Sequence, residues 1–216
     1  TNEETAFRMH VRRFCETIRM DYLHLIIQRL RSPPLNILSL CGGIEPQIHT
    51  LLSLGFRINN YWSVENSEIT RLVASANYPP IKHIFPHDIS LIDTEMIASI
   101  VWDAVFAGFP CQDFSSINTT AAGNTNLFQA GSLIIQQLEL NNPNILKFIE
   151  NVVPKPAFKA SQESIIGFPS QQHEALLSGA AAARKRQYWL NHGVSTDQFV
   201  TVLHIDPGLM LDHGFI

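Results

Sequence analysis

The sequence predicts an α/β fold built on a mostly parallel sheet with helices on both faces. Between residues 35 and 149, short apolar runs typical of buried strands alternate with longer stretches of helical periodicity. Such alternation favours right-handed crossover connections, which place successive strands parallel to one another. The length of 216 residues suits one domain with at most a small appendage.

Turn-forming residues mark the boundaries of these elements. Gly55 ends the first helix, and Pro79-Pro80 end the second. Prolines and a glycine within residues 154–172 predict a loop there, and the pair Tyr188-Trp189 predicts the start of a further strand. The predicted strands cover residues 36–40, 61–65, 81–85, 104–107 and 145–149. The predicted helices between them cover residues 45–54, 67–77, 94–100 and 126–140.

The two ends of the chain differ from its centre in composition. Residues 3–31 hold six of the fifteen lysines and arginines. They predict a basic amphipathic helix or helix pair, which either packs on the domain or contacts phosphates. We therefore divide the chain into an N-terminal basic helical segment (1–34), a catalytic domain (35–190) and a C-terminal tail (191–216).

Composition limits the class of protein. A net charge of −4 is not that of a self-sufficient nucleic-acid binder, so a polyanion would need a local basic face or a partner. The three cysteines lack metal-ligand spacing, which predicts free thiols in a reducing compartment and no bound metal. We see no signal-peptide pattern and no apolar run of ~18 residues, so we expect neither secretion nor a membrane span. His83 and His87 are interpreted as surface histidines.

Glycines and acids gather at the predicted carboxyl ends of the first three strands, where ligands of such sheets bind. The turn Gly42-Gly43 lets a ligand approach the backbone closely. Glu65 ends the second strand, at a chain distance where an acid meets ribose hydroxyls, and Asp88 can accept a hydrogen bond from an adenine amino group. A complete GxGxxG turn and a Walker lysine are missing, so this set predicts an adenosine-type cofactor. Taken alone, each residue would be an ordinary turn or a solvated strand end.

A cysteine and a glutamate follow the next two predicted strands. Cys111 stands behind Pro110 at the end of one apolar run, and Glu150 ends the next. Neighbouring strand ends would bring the thiol beside the carboxylic acid, which suits addition to a pyrimidine ring. The alternative for Cys111 is an inert buried thiol. The cluster Arg184-Lys185-Arg186 is either a solvated charge cluster or part of this site.

These segments together resemble the motifs of the cytosine-C5 DNA methyltransferase family over roughly residues 35–190. The residues around the arginine cluster, and the second valine after the glutamate, are most similar to the eukaryotic de novo and plant domains-rearranged branch. The similar segments are Ser39-Leu40-Cys41-Gly42-Gly43-Ile44, Ser63-Val64-Glu65-Asn66-Ser67-Glu68, Asp88-Ile89, Phe109-Pro110-Cys111-Gln112, Phe148-Ile149-Glu150-Asn151-Val152-Val153 and Arg184-Lys185-Arg186-Gln187-Tyr188-Trp189.

The resemblance implies a Rossmann-like, S-adenosylmethionine-dependent methyltransferase that methylates C5 of cytosine in DNA, through a covalent cysteine adduct and a flipped base. Cys111 would attack C6 of the base, Glu150 would hold and protonate N3, and Arg186 with Arg184 would contact O2. The residues that the resemblance assigns to S-adenosylmethionine are Leu40, Gly42, Gly43, Ile44, Glu65, Asn66, Asp88, Ile89 and Pro110.

Departures from the family pattern leave alternatives open. Glu45-Pro46 stand where many relatives have glycines, which predicts a narrower methionine end of the cofactor pocket. Residues 191–216 are too few for a typical target-recognition domain, so a protein partner or a missing segment is expected to supply recognition. The same core would also suit an RNA (tRNA) cytosine-5 methyltransferase or a non-catalytic regulatory homologue. A DNA enzyme is expected in the nucleus of a eukaryote, and otherwise in the cytoplasm.

Overall fold

The computed structural model describes residues 32–110, 126–174 and 184–191. Strands and helices alternate along these residues as the sequence predicts. The strands are β1 Leu35–Leu40, β2 Ile58–Val64, β3 Lys82–His83, β4 Ala104–Gly108, β5 Leu146–Val152, β6 Gln171–Glu174 and β7 Lys185–Leu190. The helices are α1 Pro46–Ser53, α2 Glu68–Asn77, α3 Thr94–Ala98, α4 Asn126–Asn141 and α5 Pro156–Ile166, with a 3-10 turn at Ile89–Leu91.

The seven strands form one sheet in the order β3-β2-β1-β4-β5-β7-β6. Strands β1 to β5 are mutually parallel, and β7 runs antiparallel to both of its neighbours. The chain builds outward from β1 in one direction and then returns to build from β4 in the other. Ligands of open α/β sheets bind at the carboxyl ends of the strands where this reversal occurs. The mostly parallel α/β fold class is confirmed.

Two apolar cores lie on opposite faces of the sheet because successive strand residues point to opposite sides. Leu38 and Leu40 of β1 face one core, which α3, α4 and α5 complete. Ile37 of β1 faces the other, with side chains from α1 and α2. Helices therefore cover both faces of the sheet, as predicted.

The prediction was wrong for one segment, where prolines and a glycine had indicated a loop. Residues 154–172 were expected to form a loop, but they contain α5 and the first two residues of β6. Pro156 occupies the first turn of α5, where its missing N–H has no intrahelical partner to lose, and Gly167 ends the helix with a φ of 90°. The predicted strand at 81–85 is shorter, since only Lys82–His83 pair with β2.

The predicted segments at both ends of the chain lie largely outside the described residues, so the proposed three-part division stays a prediction. Among the residues that the structure describes, none of the helices has both the length and the apolar character needed to cross a membrane.

Candidate active site

Two cavities open at the carboxyl ends of the central strands, and they share Cys41 and Gly108 in their walls. The larger cavity measures about 550 Å³ and reaches across β4 and β5. The smaller measures about 220 Å³ and reaches across β2 and the turn that follows β3. The candidate site therefore has two adjoining compartments at the strand ends that the topology favours.

The smaller cavity collects most of the residues predicted for the adenosine part of a cofactor. Five of the nine predicted cofactor residues line it, although they come from three separate segments of the chain. Among the described residues, its lining is Cys41, Glu65, Asn66, His87, Asp88, Ile89, Gly108, Pro110 and Leu127. His87, interpreted from the sequence as a surface histidine, also belongs to this wall.

Glu65 holds the glycine turn in place from the end of β2. Its Oε2 accepts a hydrogen bond from the backbone N–H of Gly43 at 3.1 Å, and its Oε1 accepts one from the N–H of Ser67 at 2.9 Å. Gly43 has a φ of 66°, and a Cβ placed there would meet no atom within 4 Å. Gly42 and Gly43 line the larger cavity, which leaves the backbone of Gly43 open to a ligand.

The structure does not bring Leu40 and Ile44, two apolar members of the predicted cofactor set, to either cavity. Leu40 is fully buried in the core, and the side chain of Ile44 is 52% exposed. Neither residue belongs to the lining of the two cavities. Both flank the glycine turn in sequence, so their predicted cofactor contacts stay untested.

A carboxylate and an arginine line the larger cavity, and a second arginine pairs with the carboxylate. Glu150 lies within β5, aligned with Gly108 on β4 and with Tyr188 on β7. The Nε of Arg186 lies 2.7 Å from Oε1 of Glu150, an ion pair between partly exposed side chains. Arg184 lines the cavity with Glu150. Burial, and then the charge of Glu150, raise the pKa of Tyr188 above its usual value.

Phe109 fixes the strand end that leads to Cys111. Its side chain is 4% exposed, and its ring packs against Phe128 with the centroids 5.0 Å apart. Any side chain at Gly131 of α4 would overlap the Phe109 ring, so the glycine permits this contact. Pro110 then lines the smaller cavity. Cys111 is the next residue in the sequence, and it lies outside the described residues.

Sequence reasoning missed a buried network around Glu45. Glu45 is 1% exposed, and its carboxylate accepts hydrogen bonds from the hydroxyls of Ser39 (2.7 Å), Ser63 (2.6 Å) and Tyr61 (2.8 Å). Burial raises the pKa of Glu45, although these hydrogen bonds act in the opposite direction. The side chain points into this network, so of the pair Glu45-Pro46 only Pro46 lines the larger cavity.

Cys41 carries a thiol between the two cavities, but its surroundings suppress its ionisation. Burial raises its pKa to about 12, with further contributions from the negative charges of Glu65, Glu45 and Asp88. A thiol with this pKa stays protonated at neutral pH, and the thiolate is the nucleophilic form. Cys41 therefore separates the two cavities without acting as a nucleophile.

The strand order, the helices on both faces and the paired cavities together define a Rossmann-like methyltransferase fold. Comparison with family models supplies the family. The model for the C-5 cytosine-specific DNA methylases matches residues 35–154, more than half of the chain, and the protein belongs to this family.

Solved structures support the same fold. A prophage-encoded E. coli protein described as a DNA modification methyltransferase aligns with a TM-score of 0.60 and 17% identity, covering 80% of this chain and 52% of that one. The Entamoeba histolytica methyltransferase EhMeth aligns with a TM-score of 0.58 and 16% identity, covering 81% and 58%. Spodoptera frugiperda DNMT2 aligns with a TM-score of 0.53 and 19% identity, covering 80% and 56%. The chain spans about half the length of these proteins. Comparison with curated proteins gave no match.

Proposed function

We propose that the protein transfers a methyl group from S-adenosylmethionine to C5 of cytosine in DNA, through a covalent adduct between Cys111 and a flipped base. One observation carries this proposal. The cavity lined by Glu65 and Asp88 adjoins the cavity lined by Glu150 and Arg184, with only Cys41 and Gly108 common to both. A methyl donor in the smaller cavity and a base in the larger one would therefore meet at this shared wall.

The residues of the smaller cavity fit an adenosyl group. Carboxylates of Glu65 and Asp88 are acceptors for hydroxyl and amino donors, and Ile89, Pro110 and Leu127 supply apolar contact for a flat ring. The open backbone at Gly43 allows the amino-acid end of the ligand to approach from the larger cavity. When bound, S-adenosylmethionine supplies the electrophilic methyl group.

The chain's own residues would activate the base. Cytosine C5 is a poor nucleophile. Addition of the Cys111 thiolate to C6 would convert the ring to an enamine, in which C5 is nucleophilic. Glu150 would donate a proton to N3 as electrons move into the ring. After methylation, a general base removes the C5 proton. Elimination then restores the C5–C6 double bond and releases the thiolate of Cys111, while N3 returns its proton to Glu150.

Arg186 and Arg184 would complete the larger cavity. The ion pair of Arg186 with Glu150 fixes the carboxyl group on β5. Arg184 stands in the same wall, where a guanidinium can donate to O2 of the base and stabilise the charge that develops there. We propose a flipped base because a base stacked in a duplex cannot enter a cavity between strand ends.

Recognition of the target sequence is proposed to come from a partner protein or from a further segment. The net charge of −4 gives no general attraction to DNA. A DNA substrate would place the enzyme in the nucleus of a eukaryote, or in the cytoplasm otherwise. Membership of the eukaryotic de novo and plant domains-rearranged branch remains part of this proposal.

Methyl transfer from labelled S-adenosylmethionine tests the substrate. Duplex DNA, single-stranded DNA and tRNA are offered in parallel, and duplex DNA is expected to take up label. Cys111→Ala should abolish transfer, and 5-fluorocytosine DNA should form a covalent adduct with the native protein only. Label in tRNA alone would instead establish an RNA methyltransferase. Cofactor binding without transfer to any substrate would establish a regulatory homologue.

A further inference from the structure

The turn that follows β3 holds His87 in an unusual backbone conformation. His87 has a φ of 75°, a region that side-chain-bearing residues seldom adopt. The carbonyl of Ile84 accepts a hydrogen bond from its backbone N–H at 3.0 Å. The same carbonyl oxygen lies 2.7 Å from Nδ1 of the His87 ring. Two contacts to one carbonyl therefore fix both the backbone and the ring.

These contacts determine the tautomer of the neutral ring. A carbonyl oxygen only accepts hydrogen bonds, so Nδ1 carries the proton in the contact with Ile84. Nε2 of the neutral ring is then an acceptor with a free lone pair. Because Nδ1 is turned back towards Ile84, Nε2 is directed away from the turn. The ring of Phe85 packs edge-on against the imidazole, with the centroids 5.7 Å apart.

In Asp88, the next residue, one of the two carboxylate oxygens already accepts hydrogen bonds. Its Oδ1 accepts from the N–H of Ser90 at 2.9 Å and from the Ser90 hydroxyl at 2.7 Å. One Asp88 oxygen therefore remains for a ligand. An exocyclic amino group has two N–H donors, and each needs an acceptor when it is buried. Asp88 alone would satisfy one of them, and His87 lines the same cavity.

We propose that Nε2 of His87 and the free oxygen of Asp88 together accept the two N–H groups of an adenine amino group, which makes His87 a specificity-determining residue of the cofactor cavity. This inference rests on the proposed use of an adenosyl cofactor. A ligand with a carbonyl oxygen at the same ring position would face two acceptors and no donor, so it would bind more weakly.

Calorimetric titration at pH 8 with S-adenosylhomocysteine and S-inosylhomocysteine tests the proposal, because the two ligands differ at that ring position. The native protein is expected to prefer the adenosyl ligand by at least about ten-fold. His87→Phe keeps an aromatic ring beside Phe85 but removes both nitrogens, and His87→Gly relaxes the backbone. Both variants should reduce the preference for the adenosyl ligand by roughly two- to ten-fold, the factor expected from the loss of one neutral hydrogen bond. His83→Gln is the matched control, since His83 lines neither cavity.

The outcomes separate this proposal from the proposed function. The ratio of the two affinities does not depend on the folded fraction of a variant. Thermal unfolding should show His87→Gly no less stable than the native protein, because glycine adopts a positive φ without strain. Equal affinity of the native protein for the two ligands, or an unchanged preference in both His87 variants, overturns the role of His87 and leaves the proposed cofactor intact. Failure of either ligand to bind overturns both proposals.

Discussion

Glu45 places a carboxylate within the sheet core, where the hydroxyls of Ser39, Ser63 and Tyr61 surround it. Burial holds its pKa above the ordinary 4.5, so the folded protein binds this proton more tightly than the unfolded chain does. The associated stabilisation is complete below the ordinary pKa. It is lost as the pH rises through the raised pKa of the folded state.

Glu45→Gln should remove this pH dependence, because glutamine cannot ionise. Between pH 4 and pH 8, the native protein should lose about 1.4 kcal/mol of unfolding free energy relative to the variant for each unit by which the pKa is raised. Urea denaturation across this range measures the difference. Glu95→Gln, at an exposed acid in the first turn of α3, is the control. A native-minus-variant difference that stays constant with pH would contradict the prediction.

Cys41 should resist alkylation in the folded protein. With a pKa of about 12, the thiolate fraction at pH 8 is on the order of one in ten thousand. Iodoacetamide is expected to modify Cys41 only after unfolding in urea, as followed by mass spectrometry of the cysteine peptides. Rapid modification of Cys41 in the native state would show that its surroundings do not suppress ionisation.

At the scale of elements, the antiparallel strand β7 brings Arg186 to Glu150 on β5. Neither residue lines the smaller cavity. The pair should therefore affect the reaction without affecting cofactor affinity. This separation gives a test that distinguishes loss of the pair from general damage to the sheet.

Arg186→Gln should lower kcat on the order of ten- to hundred-fold, because Glu150 loses the group that orients it. Affinity for S-adenosylhomocysteine should change less than about two-fold, since the smaller cavity is unaltered. Lys185→Gln, an exposed neighbour on the same strand, is the control. Parallel losses of kcat and cofactor affinity in Arg186→Gln would indicate a distorted sheet instead.

The glycine turn after β1 contains two glycines that are needed for different reasons. A side chain at Gly42 would overlap the Ser39 hydroxyl and the Glu45 carboxylate, whereas one at Gly43 meets open space at a φ of 66°. Gly42→Ala should cost about 1–3 kcal/mol of unfolding free energy through overpacking. Gly43→Ala should cost about 1–2 kcal/mol through backbone strain alone. Combining Glu45→Ala with Gly42→Ala should recover part of the first cost, whereas combining it with Gly43→Ala should recover none of the second.

Apolar runs explain which elements could be predicted from the sequence. Strands β1, β2, β4 and β5 each contain adjacent apolar residues, such as Ile37-Leu38, Tyr61-Trp62, Ala104-Val105 and Phe148-Ile149. Strand β6, by contrast, is the polar run Gln171–Glu174, which is a strand because β7 pairs with it. Only tertiary pairing specifies such an element, so no local pattern indicates it.

The same distinction holds for the site. Glu65, Asp88 and Glu150 were predicted because strand ends in a parallel sheet converge. Glu45 and His87 were not, because their positions depend on turns with positive φ at residues other than glycine. Asn and Asp are the usual signals of such turns, and glutamate and histidine give weaker ones.

At the scale of the whole molecule, the smaller cavity draws its walls from β2, β4, α4 and the turn after β3. A ligand that binds there contacts segments far apart in the sequence. It should therefore stabilise the sheet as one unit rather than one local segment.

S-adenosylhomocysteine at a hundred times its dissociation constant should raise the unfolding free energy by about 2.7 kcal/mol. Differential scanning calorimetry should show one transition that moves to higher temperature as a whole. ATP, which carries adenosine with phosphates, is the control ligand and should not move the unfolding transition to a comparable extent. A transition that splits, with only part of it moving, would show that the cavity belongs to a separately unfolding region.

Gly108, which has no side chain, lines both cavities together with Cys41. A Cβ at this position would lie 3.3 Å from the carbonyl oxygen of Cys41 and 4.0 Å from a carboxylate oxygen of Glu150. Gly108 contributes only backbone to this shared wall, so side chains elsewhere in either cavity can be exchanged without altering its contribution. A substitution that reshapes one compartment should in this way leave the backbone boundary of the other unchanged.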